Sequence, residues 1–200
     1  MKKIFIIFLF LISPCAILNA QFDENVQSNL TLNLKAYLEG FWNGTTHVPD
    51  SISIYLEQPT APFTRMDSTN VLLLSNGTSI ATFTLAPNGN YFIIVKHLNH
   101  FETASSIALA FLSGVPVNYD FTTDSTKARG CNMKKAGNKW VFYGGDANGD
   151  GSVDGKDVNE FIPRMPPGLF DRRYDFNGDG WINVLDVQIL ASNYGLTKAW

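Results

Sequence analysis

Two twelve-residue segments in the second half of the sequence carry oxygen-bearing side chains at matching positions. The first begins at Asp146 and the second at Asp175, so the pattern repeats after 29 residues (146 to 175). In both copies positions 1, 3 and 5 are Asp, Asn and Asp, position 6 is Gly and position 12 is Asp. One copy alone is compatible with a surface turn, because Asp, Asn and Gly are common turn residues. Two complete copies in register instead predict metal sites.

The metal that this pattern favours is Ca²⁺, a hard cation that takes about six to eight oxygen ligands. A loop of this length supplies them from positions 1, 3, 5, 7, 9 and 12, with position 7 acting through its main-chain carbonyl and position 9 commonly through water. Mg²⁺ is disfavoured because it requires stricter octahedral geometry and retains more water. The sequence thus predicts two bound calcium ions. The predicted ligands are Asp146, Asn148, Asp150, Ser152, Asp154 and Asp157 in the first loop, and Asp175, Asn177, Asp179, Trp181, Asn183 and Asp186 in the second.

Two further loop positions are also shared. Position 6 is Gly151 or Gly180, where the backbone must turn sharply with positive φ. Position 8 is apolar in both copies, Val153 and Ile182. This shared apolar position predicts a short strand-like pairing between the two loops.

The segments around the loops differ from those of an EF-hand, which has a helix on each side of its loop. Residues 139–143 before the first loop are strand-like and are followed by two glycines, and Pro-Pro-Gly at 166–168 leaves no room for a helix before the second. After each loop an apolar spacing typical of a helix begins. A loop followed by a helix, duplicated and with Asp at position 12, resembles the dockerin type I domain over about residues 144–196.

The resemblance implies a small α-helical, EF-hand-like, calcium-folded module that docks onto a cohesin domain, in a secreted protein of polysaccharide degradation. Calcium would let so short a segment fold without a large core, because metal-binding free energy becomes folding free energy. In the family, loop positions 10 and 11 and the helix after each loop face the cohesin. Those positions differ between the copies here, Gly155-Lys156 against Val184-Leu185. Pro163 predicts that the first helix is short.

The N-terminus has the pattern of a secretory signal peptide. Lys2 and Lys3 precede an apolar run at residues 4–18, and Ala20 closes a small-residue cleavage pattern. The run is shorter than the ~20 apolar residues of a spanning helix, so the mature chain has no predicted membrane span. We therefore expect a signal peptide at 1–20, a secreted protein, and Cys131 as a lone, buried, apolar side chain.

Residues 21–143 show the period-2 alternation of β-strands and are predicted to form an antiparallel sandwich domain of immunoglobulin-like or transthyretin-like type. Asn76-Gly77 predicts a hairpin between its third and fourth strands. The dockerin-like domain then occupies 144–200, and the very short junction predicts that the two domains touch. The strands are expected at 30–38, 52–56, 71–74, 80–85, 91–95, 107–112 and 115–121.

No catalytic motif is found in the sandwich sequence. His97, His100 and Glu102 could suggest zinc, but the two histidines are expected in a turn, where a surface or packing role is favoured. Phe41-Trp42 is interpreted as a cap on the core rather than a platform for sugar. The acids are interpreted as solvated groups at strand ends: Glu39, Asp50, Glu57, Asp67, Glu102, Asp120 and Asp124.

Composition excludes several classes of protein. With 15 Lys and Arg against 18 Asp and Glu the chain has a net charge of −3, which does not suggest a nucleic-acid surface, and at 45% hydrophobic residues it is too apolar for a disordered chain. The sequence predicts a non-catalytic, secreted, calcium-binding protein. Its dockerin-like module would attach to a cohesin-type partner or pack on its own sandwich. The alternative is a carbohydrate-active or polysaccharide-binding protein that uses a face of the sandwich.

Overall fold

The computed structural model describes residues 29–165 and 170–199. The predicted signal peptide at 1–20 lies outside these residues. Within the described part of the chain, no helix is long and apolar enough to cross a membrane.

Strands occupy the part of the chain before Phe142, as the alternating apolar pattern predicts. Their bounds are β1 Leu30–Lys35, β2 Asp50–Glu57, β3 Arg65–Leu73, β4 Thr78–Phe83, β5 Gly89–His97, β6 His100–Ala104, β7 Leu109–Phe111, β8 Val117–Asp120, β9 Lys134–Ala136 and β10 Lys139–Val141. One sheet has the order β4-β1-β8 and a larger one the order β3-β2-β5-β6, with β7 pairing to β5. A third, two-stranded sheet joins β9 and β10.

The two larger sheets enclose the main core, which confirms the predicted sandwich. Every second residue of β1 is buried, Leu30, Leu32 and Leu34, and these pack in one cluster with Ile54 of β2 and Ile93 of β5. The strand pairs are antiparallel except for β1 and β8, which run parallel.

The predicted hairpin at Asn76-Gly77 is wrong. The turn itself forms, with the Leu74 amide donating to the Thr78 carbonyl at 2.9 Å. However, β3 pairs with β2 and β4 pairs with β1, so the chain crosses from one sheet to the other at this turn. The crossing lets β3 bury Leu73 and β4 bury Phe83 in the same core from opposite sides.

Two other sequence expectations fail in the same region. His97 and His100 do not lie in a turn: His97 ends β5 and His100 begins β6, and both are buried. Cys131 is exposed rather than buried. It ends a 3-10 turn, Arg129–Cys131, and has the left-handed φ of 54°.

The segment after the sandwich contains two short helices, α1 Gly155–Phe161 and α2 Val184–Asn193. The first is continued only by a 3-10 turn that contains Pro163, so the predicted shortening is confirmed. A second apolar cluster holds this segment together, and it includes Phe101 of β6. The two parts of the chain therefore share a core residue.

Candidate metal centre

The carboxylate at position 12 of each loop ties the loop closed. In the first loop Asp157 Oδ1 accepts hydrogen bonds from the amides of Ala147 (2.9 Å) and Asn148 (3.3 Å), and its Oδ2 accepts from the amide of Asp154 (2.9 Å). Asp157 is the third residue of α1 and is fully buried. The helix that follows the loop thus places the carboxylate back against the loop's beginning.

The second loop repeats this arrangement 29 residues later. Asp186 Oδ1 accepts from the amides of Phe176 (2.7 Å) and Asn177 (3.3 Å), and Oδ2 accepts from the amide of Asn183 (2.9 Å). Asp186 is likewise fully buried, at the third residue of α2. The internal repeat of the sequence is therefore a repeat of hydrogen-bond geometry.

The side chains at positions 1, 3 and 5 accept hydrogen bonds from main-chain amides of their own loop in both copies. Asp146 Oδ2 accepts from the amide of Gly151 at 3.1 Å, and Asp175 Oδ2 accepts from the amide of Gly180 at 3.0 Å. Gly151 and Gly180 both have φ 86°, so the predicted positive φ at position 6 is present. The side chains at positions 3 and 5 each accept a hydrogen bond from the main-chain amide two residues later. These accepting side chains belong to Asn148, Asp150, Asn177 and Asp179.

Position 9 begins the helix after each loop. Asp154 and Asn183 are the N-caps of α1 and α2, where their side chains accept from the amides of Lys156 (2.7 Å) and Leu185 (2.8 Å). Together with position 12 they form a capping box in each copy. One short motif thereby builds both the loop and the start of its helix.

The predicted pairing of the two loops through position 8 is wrong. The amide of Val153 donates to the carbonyl of Leu196 at 2.9 Å, and the amide of Gly195 donates to the carbonyl of Val153 at 2.8 Å. Ser152 at position 7 forms a bridge with Thr197. The first loop therefore pairs with residues 195–198, which follow α2, and not with the second loop.

Burial gives the loop carboxylates unusual electrostatics. It raises the pKa of Asp146 and that of Asp186 to about 6, and it raises the pKa of Asp157 and Asp175 as well. Asp146 Oδ1 is buried and has no hydrogen-bond partner among the described residues. A buried carboxylate oxygen without a partner is costly unless a proton or a cation satisfies it. The donor set and this oxygen fit Ca²⁺.

Among the described residues, no group of three or more His, Cys, Asp or Glu side chains is close enough to form a metal cluster by itself. Loops of this type do not require one, because amide oxygens, main-chain carbonyls and water complete the coordination. In the first loop Lys156 Nζ also pairs with Asp150 Oδ2 at 2.8 Å, which lowers the pKa of that carboxyl. Lys156 has no basic counterpart in the second loop, where the equivalent residue is Leu185.

The domain surfaces around the loops are in contact, as the short junction predicts. Arg172 pairs with Asp50 of β2 at 2.5 Å. Lys134 of β9 donates to Ser192 (2.8 Å) and Asn193 (2.9 Å) of α2. These pairs attach the segment that carries the two loops, residues 144–199, to the sandwich on two sides.

The histidines of the sandwich belong to this contact region and have partners within the protein. His97 Nδ1 and His100 Nδ1 lie 2.9 Å apart, and His97 Nε2 lies 3.3 Å from Asp50 Oδ2. His47 packs against Phe41, with ring centroids 5.9 Å apart. Of the surface and packing roles that the sequence leaves open for His97 and His100, these contacts agree with packing.

Acidification is expected to destabilise the sandwich through His47. Burial lowers its pKa from 6.5 to about 4, so the unfolded chain binds more protons between these two pH values. Stability present above pH 6.5 is therefore lost as the pH falls towards 4, by up to about 3 kcal/mol. Urea unfolding at a series of pH values measures this loss.

The matched variant is His47→Gln, whose amide oxygen can still accept from the Leu38 amide that His47 Nε2 binds at 3.3 Å. It carries the same carboxylates as the wild type, so the difference between the two curves isolates His47. Parallel pH dependences in the two proteins would contradict the prediction.

The other side chains that could have indicated a sugar site have structural partners. Phe41 is 3% exposed, and Trp42 is half-buried and stacks on Tyr37 with ring centroids 3.9 Å apart. The interpretation as a cap on the core is confirmed. The acids pair with cations or accept from main-chain amides: Glu39, Asp50, Glu57, Asp67, Glu102, Asp120 and Asp124.

Comparison with known proteins identifies the segment that carries the two loops. Residues 144–194 match the family model of the dockerin type I domain. Among solved structures, the chain is similar to a chain of a type II cohesin–X–dockerin complex from Acetivibrio cellulolyticus that carries a C-terminal interface mutation. The identity is 17% and the TM-score 0.51, and the match covers 84% of this chain and 97% of that chain. A chain of the same complex with an N-terminal interface mutation gives 15% identity and a TM-score of 0.46. No curated protein matches the sequence.

At this identity the structural likeness concerns the fold alone. The match covers 84% of this chain, so it includes both the sandwich and the segment after it. The family match is independent of it and falls on the duplicated loops and their helices. Dockerin domains generally bind calcium, in keeping with the donor set described above. Residues 144–194 of this chain form a dockerin type I domain.

Proposed function

We propose that this chain is a secreted, non-catalytic attachment protein whose dockerin domain folds around two calcium ions and binds a cohesin-type partner. The observation that carries the proposal is the duplicated loop in which Asp157 and Asp186 each close a ring of main-chain amides. Dockerin proteins are typically extracellular components of polysaccharide-degrading assemblies, which is the setting we infer for this one. The proposed boundaries are 1–20 for the signal peptide, 21–143 for the sandwich and 144–200 for the dockerin domain.

The calcium ligands of the proposal are the twelve residues that the loop positions select. The unpartnered oxygen of Asp146 and the raised pKa of four loop carboxyls support it, because a divalent cation would favour their charged forms. Bound calcium would supply positive charge that holds the loop oxygens together. The ligands are Asp146, Asn148, Asp150, Ser152, Asp154, Asp157, Asp175, Asn177, Asp179, Trp181, Asn183 and Asp186.

The second copy has the better surface for a protein partner. Val184 and Leu185 at positions 10 and 11 are 60% and 47% exposed, whereas the first copy has Gly155 and the charged Lys156 there. Exposed apolar side chains beside polar ones are typical of interaction sites. α2 also lines an apolar groove of about 470 Å³ with α1. We therefore infer that the cohesin-type partner binds α2. The similar solved complex likewise joins a cohesin to a dockerin, which supports a partner of this class.

A pull-down against type I and type II cohesin domains, with calcium and with a chelator, tests the function. We expect calcium-dependent capture by at least one cohesin and its loss in Leu185→Arg and Gln188→Arg. Asn159→Arg is the matched control, since Asn159 is the exposed residue of α1 that corresponds to Gln188. Absence of capture by every cohesin in calcium, or equal loss with Asn159→Arg, would overturn the proposal.

The signal peptide at 1–20 has a test of its own. N-terminal sequencing of the exported protein should give Gln21 as the first residue.

A further inference from the structure

One residue of the sandwich contacts the beginning of both calcium loops. Asn99 lies in the turn between β5 and β6. Its main-chain carbonyl accepts from the amide of Gly145 at 3.0 Å, and Gly145 directly precedes Asp146. Its side-chain Nδ2 donates to the carbonyl of Asp175, the first residue of the second loop, at 2.9 Å. The two loops, far apart along the chain, are thus joined through Asn99, at the residue before position 1 of the first loop and at position 1 of the second.

The Asn99 amide is fixed in this orientation. The residue is only 1% exposed, and a second bond from Nδ2 reaches the carbonyl of Arg172 at 3.2 Å. Both protons of the amide nitrogen therefore have acceptors, and a flipped amide would place its oxygen against two carbonyls. Asn99 Oδ1 faces His100 Nδ1 at 2.8 Å, and His100 Nε2 bonds to the carbonyl of Glu39 at 2.9 Å.

The second loop also rests directly on the sandwich around this contact. A Cβ at Gly178, which has φ 71°, would lie 2.6 Å from the ring of Phe41. A Cβ at Gly40 would lie 2.5 Å from the carbonyl of Phe176. The second loop is therefore packed against the sandwich and cannot move closer to it. Within this packing, the hydrogen bond from Asn99 fixes the position of Asp175, the first residue of the loop.

We propose that Asn99 is a positioning residue: its side chain orders the second loop before calcium binds there. The proposal rests on the proposed function, since it assumes that both loops bind Ca²⁺. A loop that is already ordered loses less conformational freedom on binding and so binds more tightly. Without the side chain, the buried carbonyl of Asp175 and the partly buried carbonyl of Arg172 lose their donor, and the loop becomes less ordered. The first loop keeps its bond, because that bond uses the main chain of Asn99.

The second loop carries its own reporter. Trp181 stands at position 7, where only its carbonyl is a proposed ligand, and its indole is 73% exposed. Tb³⁺ replaces Ca²⁺ in such loops and luminesces when a neighbouring indole is excited. Titration of the full chain with Tb³⁺ under excitation of tryptophan therefore reports the second loop, and loss of the signal in Trp181→Phe verifies the assignment.

We expect Asn99→Ala and Asn99→Asp to weaken Tb³⁺ binding at the second loop by about tenfold or more. Asn99→Asp keeps the size of the side chain and replaces the donor by an oxygen, so it tests the hydrogen bonds even if the smaller alanine perturbs packing. Asn132→Ala is the matched control, a buried asparagine of the sandwich that is 5% exposed and should leave the titration unchanged. Calorimetry with Ca²⁺ in an Asp179→Ala background measures the first loop alone, where Asn99→Ala should change the affinity less than twofold.

The outcomes separate this inference from the proposed function. If the wild type gives no saturable Tb³⁺ or Ca²⁺ binding, the calcium assignment itself fails. If the wild type binds and both Asn99 variants bind equally well, Asn99 has no positioning role. An equal loss at both loops would mean that Asn99 only supports the fold, and would also overturn the inference.

Discussion

Replacement of Asp186 by alanine is expected to abolish calcium binding at the second loop and to reduce stability even without calcium. The carboxylate accepts three main-chain amides from Phe176, Asn177 and Asn183 while it is fully buried. Alanine leaves those donors unsatisfied and removes half of the capping box of α2. In a chelator, we expect the free energy of unfolding to fall by about 1–3 kcal/mol, because three main-chain amides lose their acceptor. The loss stays within this range because burial already disfavours the charged carboxylate and raises its pKa to about 6.

The loss should be larger in calcium. A ligand that binds only the folded state stabilises it by about 4 kcal/mol at one thousand times its dissociation constant, and the variant forfeits this increment at the second loop. The measurement is urea unfolding of wild type and variant with saturating calcium and with chelator. Asp157→Ala should have a corresponding effect at the first loop, because its three acceptor bonds match those of Asp186.

Asp171→Ala is the control for this series. Asp171 also accepts a main-chain amide, that of Arg173 at 3.0 Å, and it also precedes a helical turn, but it lies outside both loops. We expect it to leave the calcium-dependent part of the stability unchanged. A calcium increment in Asp186→Ala as large as in the wild type would show that position 12 does not hold the ion.

The loops could be predicted from the sequence because their chemistry is local. The hydrogen bonds of Asp157 and Asp186, the positive φ of Gly151 and Gly180, and the caps at Asp154 and Asn183 join residues within twelve positions of one another. Short-range hydrogen bonds decide this geometry, so a repeated motif is enough to specify it.

The contacts around the loops could not be predicted because they depend on distant parts of the chain. The sequence favours a solvated role for Glu39, yet this acid accepts from Lys134 and from Asn193 at 2.5 Å each. Asn99 has no feature in the sequence that distinguishes it from an ordinary turn residue. The apolar residues at position 8 predict that Val153 pairs with the second loop. In the structure Val153 instead pairs with residues 195–198. No periodicity in the sequence indicates pairings of this kind.

Phe101 is the clearest case, and it carries the second large effect that we expect. It belongs to β6 of the sandwich but packs in the core of the dockerin domain with Phe176 and Leu190, and it is 1% exposed. Its amide also donates to the carbonyl of Tyr143 at 2.8 Å, at the junction of the two parts. The dockerin core is thus completed by a side chain that the sandwich supplies.

We expect Phe101→Ala to reduce the free energy of unfolding by about 3–5 kcal/mol, because loss of a fully buried ring leaves a cavity that the surroundings fill only in part. Since the ring belongs to the sandwich and packs with Phe176 and Leu190 of the dockerin domain, the wild type should unfold in one transition in calcium. The variant should show an earlier transition for the dockerin domain. Urea unfolding followed by circular dichroism at the helix and sheet wavelengths separates the two.

Phe170→Ala is the matched control, since Phe170 lies in the dockerin segment and is 53% exposed. Its loss should cost less than about 1 kcal/mol and leave a single transition. If Phe101→Ala and Phe170→Ala had equal effects, or if the wild type already unfolded in two separate steps, the shared core would not couple the domains. A single, strongly shifted transition in Phe101→Ala would mean instead that the sandwich cannot remain folded once the dockerin domain opens, which would make the two domains one cooperative unit.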